Sequence, residues 1–180
     1  NYQTHITPIQ SINYDYFTAD ELQREASQLR AGAPGFDAWK PNELKALPRP
    51  AWVDREAVEK RIRDAGEYPS VYYQVHLAML RKGEGQNPLD HRGITVFSSL
   101  LRLVNRIWWK RIAVPLRDWA HPEAYGGLPG REPIMAAYAT QLSLEEAVMT
   151  GSDYAVVQMD YQKFFDTFNP TFFKELLLAV

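Results

Sequence analysis

Asp160 is the carboxylate whose setting invites chemistry. It closes the run Tyr154-Ala-Val-Val-Gln-Met-Asp160, in which Tyr154, Val156, Val157 and Met159 have the residue types of a buried strand. At the C-terminal edge of such a strand the backbone amides point outward and a ligand can reach the acid. Acids also commonly do no more than end strands, and this run alone leaves both readings open. The cations gather upstream. Between Arg81 and Arg117 lie eight basic residues (Arg81, Lys82, Arg92, Arg102, Arg106, Lys110, Arg111 and Arg117) against only two acids, Glu84 and Asp90. That local excess is either a footprint for a polyanion or a solvated helix face. His5, His76, His91 and His121 are scattered without metal-ligand spacing, and neither a Walker-type glycine-rich loop nor a G-x-S-x-G elbow occurs.

The elements that must position these groups are legible from local signals. Residues 1–17 read as extended or irregular. Thr18-Ala-Asp-Glu21 has capping-box spacing, and Leu22, Ala26 and Leu29 recur at helical intervals, with Gly32 as a stop. Ala31-Gly-Ala-Pro-Gly-Phe-Asp-Ala-Trp39 is a tightly turned loop. Glu43–Leu47 reads as a short helix ended by Pro48 and Pro50. Asp54–Ala65 reads as a charged helix with Val58 and Ile62 inward and Gly66 past its end. A short helix after Pro69-Ser70 gives way to a strand around Leu77–Lys82. A polar, turn-rich tip follows, and Arg92-Gly-Ile-Thr-Val-Phe97 returns as the second strand of a hairpin. Ser98 caps the strongest helix, with Leu100, Leu103, Val104, Ile107 and Trp108 as its apolar stripe and Arg102, Arg106 and Lys110 on another face. Pro133 starts a long helix reaching about Met149, with Gly151 beyond it. Asn169-Pro170 starts the last one.

Composition bounds the class. The chain has 180 residues, 46% hydrophobic and 13% aromatic, enough for a substantial core in one domain or one and part of another. Without cysteine, disulfides and thiolate metal sites are excluded, which is compatible with an intracellular setting, nuclear or cytoplasmic. No apolar run reaches 18 residues, so no membrane span is expected. A net charge of −2 gives no global argument for a nucleic-acid partner. The first residues resemble neither an initiator nor a signal peptide, and the last ones stop inside a helical pattern, so both ends read as cuts in a longer protein.

Five segments in order carry a resemblance. Ala31-Gly-Ala-Pro-Gly-Phe-Asp37, after a helix with Glu21-Leu22 and Leu29, resembles a K-A-P-G-P-D turn. Lys82, a turn and Arg92-Gly-Ile-Thr-Val resemble a "P-K … Y-R-P-I-S-L" hairpin, and Ser99-Leu-Leu-Arg-Leu-Val-Asn-Arg-Ile with Arg111-Ile resembles the helix after it. Gly126-Gly-Leu-Pro-Gly-Arg131 resembles G-F-R-P-G-R. Met159-Asp-Tyr-Gln-Lys-Phe-Phe-Asp166 resembles L-D-I-x-K-A-F-D. In this order they resemble the fingers and the start of the palm of a reverse transcriptase (an RNA-directed DNA polymerase) of the non-LTR retrotransposon, LINE-like, or group II intron type.

That resemblance implies an α+β fold: helix-rich fingers with a β-hairpin over residues 18–150, then the first strand and helix of a right-hand palm over 151–180. It implies two-metal nucleotidyl transfer, with Mg²⁺ (or Mn²⁺) held by the Asp160 carboxylate and the Tyr161 carbonyl. Oxygen donors suit so hard an ion. Lys82 and Arg92 would meet the nucleotide's phosphates, and Phe165 would exclude a 2′-hydroxyl. Arg131, Arg102, Arg106 and Lys110 would touch nucleic-acid backbone without reading sequence. The implied partners are an RNA template, a DNA primer, a dNTP and the remainder of the polymerase chain. Gly93, Ala124, Gly127 and Phe164 depart from the family pattern, and no Y-x-D-D-type motif follows. The alternative is therefore a catalytically inactive module of the same type that grips RNA or an RNA–DNA hybrid. A strand-end-aspartate phosphotransferase would need an acid where Gln162 stands.

Overall fold

The computed structural model describes residues 9, 12–81, 91–160 and 169–179. The chain is α+β, with six α-helices and one two-stranded antiparallel sheet among the described residues. In order these are α1 (Ala19–Ser27), α2 (Pro41–Lys45), α3 (Arg49–Ala65), a 3₁₀ turn (Ser70–Tyr73), β1 (His76–Arg81), β2 (His91–Val96), α4 (Ser99–Trp119), α5 (Pro133–Thr150) and α6 (Pro170–Ala179). Two compact units result. One is Asn13–Lys110, and the other is Asn1–Ile12 with Arg111–Val180, so the division falls within α4.

In the first unit α1 starts where its cap predicts. The Thr18 hydroxyl accepts from the Glu21 N–H at 3.2 Å, and the free amide of Ala19 donates to Glu56 of α3 at 2.6 Å. Leu22 and Ala26 then face inward beside Phe17. Together with Trp52 of α3 and Leu103, Val104 and Ile107 of α4 they form the core, and Leu29, Leu47 and Trp108 pack around it. The Phe17 ring meets Trp108 edge-on, 5.1 Å between centroids. The Trp52 indole N–H donates to the Leu47 carbonyl at 3.3 Å, so the largest buried ring has its one polar atom satisfied.

Two expectations about α3 fail for local reasons. Pro48 and Pro50 do not merely end α2. Pro48 is the N-cap of α3 and Pro50 sits in its first turn, where a missing N–H costs nothing, so the helix begins at Arg49 rather than Asp54. The earlier start brings in Trp52 as the anchor and turns the helix so that Val58 is 40% exposed while Glu59 is buried. Ile62 is half-buried. The burial of one indole outweighs that of one valine.

The hairpin forms as expected, with Leu80 opposite Arg92 and Met79 opposite Gly93. Both of its faces are largely exposed, including Leu77, Met79, Leu80 and Ile94. It is held at its root by the loop after α1. A Cβ on Gly35 would lie 2.3 Å from the Phe97 carbonyl oxygen and 2.6 Å from Ser98 Cα, so only glycine allows this approach. The neighbouring Phe36 ring stands 5.9 Å from His76, the first residue of β1.

In the second unit Pro133 and Gly151 bound α5, and the Asn169 side chain caps α6 by accepting from the Thr171 and Phe172 amides at 2.9 and 3.3 Å. The strand expected over 154–159 is absent. Residues 152–160 carry no regular structure, and Tyr154, Val156, Val157 and Met159 are exposed. A strand needs a neighbour for its backbone hydrogen bonds, and among the described residues the sheet consists of β1 and β2 alone. Trp52→Ala should cost about 3–5 kcal/mol in urea unfolding of this chain, the range for emptying a buried aromatic site. A loss under 1 kcal/mol would remove Trp52 from the core.

Candidate functional site

The residues singled out by sequence fall into three groups: cations consumed by the fold, groups left open, and positions outside the described residues. Lys82, Tyr161, Phe165 and Asp166 lie outside the described residues.

The cations on α4 are consumed first. Leu103, Val104 and Ile107 must face the core, so Arg102, Arg106 and Lys110 are turned toward the elements flanking it. Glu25 of α1 is there, 3% exposed. Lys110 Nζ donates to both its carboxylate oxygens at 2.7 and 2.5 Å, and Arg106 Nε donates to one of them at 3.3 Å. Both cations also reach Gln28 Oε1. Arg102 instead donates to the Ala33 carbonyl at 2.7 Å and to the Ser99 hydroxyl at 2.8 Å, tying the loop after α1 to the first turn of α4. The face read as a track for phosphates therefore serves, in large part, to hold α1 and its following loop onto α4.

Arg131 is occupied as well. Its guanidinium donates to the carbonyls of Arg117 at 2.9 Å and His121 at 2.5 Å, with longer bonds to Ala120 and Ala124. These carbonyls lie at or just beyond the C-terminal end of α4, where unpaired acceptors and the negative end of the helix dipole favour a cation. The glycine-rich turn Gly126–Gly130 brings Arg131 back to them. Its signal was in the sequence, since a lone arginine after a turn that follows a helix end is a capping candidate.

Two groups remain open. Arg92 is exposed on β2, on the hairpin face shared with Leu80, and its side chain makes no hydrogen bond or ion pair with described residues. Asp160 is likewise exposed and unpaired among them. A carboxylate is the right donor class for Mg²⁺, but the described residues gather no group of three His, Asp or Glu around it or elsewhere.

Sequence reasoning missed two polar clusters. Asp37 Oδ2 accepts from the Ser98 hydroxyl at 2.8 Å and from the Leu100 N–H at 3.3 Å, capping α4 from a loop 61 residues before Ser98. Ser98 Oγ in turn accepts from Leu101 N–H at 3.2 Å, and the Ser99 hydroxyl donates to the Trp39 carbonyl at 2.6 Å. The Asp37 position belongs to the turn motif, but nothing in its spacing names its partner. A second missed cluster is Glu59, paired with Arg55, which also reaches the Tyr72 hydroxyl.

No protein-family model matches the chain, and no curated protein matches its sequence.

The two buried acids respond oppositely to pH. Burial pushes Glu25 up, but Lys110 and Arg106 outweigh it and hold the carboxyl below its ordinary value of 4.5. Glu25 therefore stabilises the fold above that value, and the contribution is lost as pH falls through the lowered folded pKa. Burial pushes Glu59 up, and Arg55 offsets this only in part. Its contribution is present at acid pH and lost as pH rises through the raised pKa. In urea unfolding, the deficit of Glu25→Gln against wild type should be largest at neutral pH and shrink on acidification. For Glu59→Gln the wild-type advantage should shrink as pH rises. Parallel pH profiles for the two variants would contradict these assignments.

Proposed function

We propose that this chain is the fingers and the first part of the palm of an RNA-directed DNA polymerase, with Arg92 binding nucleotide phosphates and Asp160 ligating metal. The observation that carries the reading is selective: of the described cations named by the motif pattern, Arg102, Arg106, Lys110 and Arg131 are spent inside the fold, and Arg92 is left unpaired and exposed on a hairpin. An exposed arginine that neutralises nothing of its own is available to a ligand. A triphosphate is a suitable one, because a guanidinium holds two phosphate oxygens at once. The ordered motifs from residue 18 to residue 176 supply the polymerase context.

Mg²⁺, when bound, would activate the primer 3′-oxygen and screen the triphosphate. Asp160 would contribute a carboxylate oxygen to that ion, Arg92 would orient the phosphates, and Lys82 would add a second cation. The inactive-module alternative draws on the α4 cations and Arg131 for gripping a duplex, and their internal partners make it the weaker reading.

Titration of this chain with a dNTP and Mg²⁺, followed by amide NMR, should shift resonances of residues 91–96, and Arg92→Ala should weaken binding by about tenfold. Absence of binding by the wild type, or equal binding by the variant, overturns the reading. Binding of an RNA–DNA duplex with no response to dNTP would favour the inactive module. In a polypeptide joining this chain to the rest of the polymerase, Asp160→Ala should abolish primer extension on RNA while leaving unfolding unchanged.

A further inference from the structure

A two-stranded hairpin with both faces exposed has little stability of its own. Yet this one carries the open arginine, so something outside its strands must set its direction. The loop after α1 touches it at both strands of its root. Phe36 sits against His76, which pairs with Val96 at the open end of the hairpin. Gly35 lies against the Phe97 carbonyl, immediately after β2, closer than any side chain would allow. Asp37 then binds the Ser98 hydroxyl and the Leu100 amide, so the residues leaving β2 are fixed to the first turn of α4. Ser99 and Arg102 close the same junction from the helix side through Trp39 and Ala33.

The geometry points to Asp37 as a positioning residue for Arg92: the Gly35-Phe36-Asp37 segment clamps the hairpin root and sets where the arginine is presented, without itself meeting the ligand. This rests on the nucleotide reading of Arg92. Asp37 is bound to the hairpin exit and to a core helix at once, whereas among the described residues the Arg92 side chain has no tether beyond its strand. Loss of the Asp37 carboxylate leaves the Ser98 hydroxyl without its acceptor and the Leu100 amide unpaired, which loosens the first turn of α4 where β2 meets it. The hairpin then swings about its root while the core of Trp52, Leu22 and Leu103 stays packed.

Amide hydrogen exchange on this chain separates that role from a general structural one. In Asp37→Ala, amides of residues 77–80 and 92–95 should exchange about tenfold faster, while those of α1 and α3 stay within about twofold of wild type. dNTP affinity should fall in the same variant, although Asp37 does not touch Arg92. Unchanged hairpin exchange, or equal acceleration in α1 and α3, overturns the clamp. Should Asp37→Ala fail to fold, Phe36→Ala removes the contact with β1 instead and should give the same selective pattern. If wild type binds no dNTP, the nucleotide reading of Arg92 fails, while the exchange pattern alone still decides whether the clamp exists.

Discussion

Burial of the α4 stripe is the constraint on which the first unit depends. Leu103, Val104 and Ile107 can leave water only by packing against Phe17, Leu22, Ala26 and Trp52. Each such side chain is worth about 1.5–3 kcal/mol when buried. Once that face is fixed, the rotation of the helix is fixed with it, and so is the position of every charge it carries. Arg106 and Lys110 come to rest beside Glu25, on the opposing helix. Burial pushes the Glu25 carboxyl up, and two cations on one carboxylate outweigh it and hold it below its ordinary value. Packing thus decides the electrostatics, and the electrostatics then remove those cations from the surface.

The same helix governs the hairpin. Its N-terminus is where β2 ends, and the amides there are capped by Ser98 itself and by Asp37 on the loop after α1, while the carbonyls of Ala33 and Trp39 in the same loop accept from the Arg102 and Ser99 side chains. A helix end requires donors to be satisfied whatever the function. Satisfying them from a distant loop joins α1, the hairpin and α4 into one junction. At the other end of α4, Arg131 performs the complementary task for the exposed carbonyls. Both ends of one helix are therefore finished in part by residues outside it, Asp37 at the start and Arg131 at the end.

The second unit shows what happens where packing is not supplied by the described residues. α5 is apolar around most of its circumference and exposes Tyr138, Leu142, Val148 and Met149, and the run ending at Asp160 is open to solvent. A helix apolar on every side ordinarily lies inside a protein. Local signals still set where α5 and α6 start and stop, because proline, glycine and asparagine act through the backbone of their own neighbours.

The hairpin and most helix limits were thus legible in sequence, since caps, turn residues and alternation act over a few residues, but the start of α3 at Arg49 was not. The division into an α+β chain follows from them. Which face of α3 turns inward was not, because Trp52 and Val58 compete for the same core and only the assembled packing ranks them. Nor could the chain order say that Arg102, Arg106 and Lys110 would be paired while Arg92 stayed open. That depends on whether a carbonyl or carboxylate distant in sequence comes within about 3 Å. The Tyr154–Met159 run is the sharpest case: its residues suit a strand, but a strand is a relation between two chain segments, and only tertiary structure supplies the second.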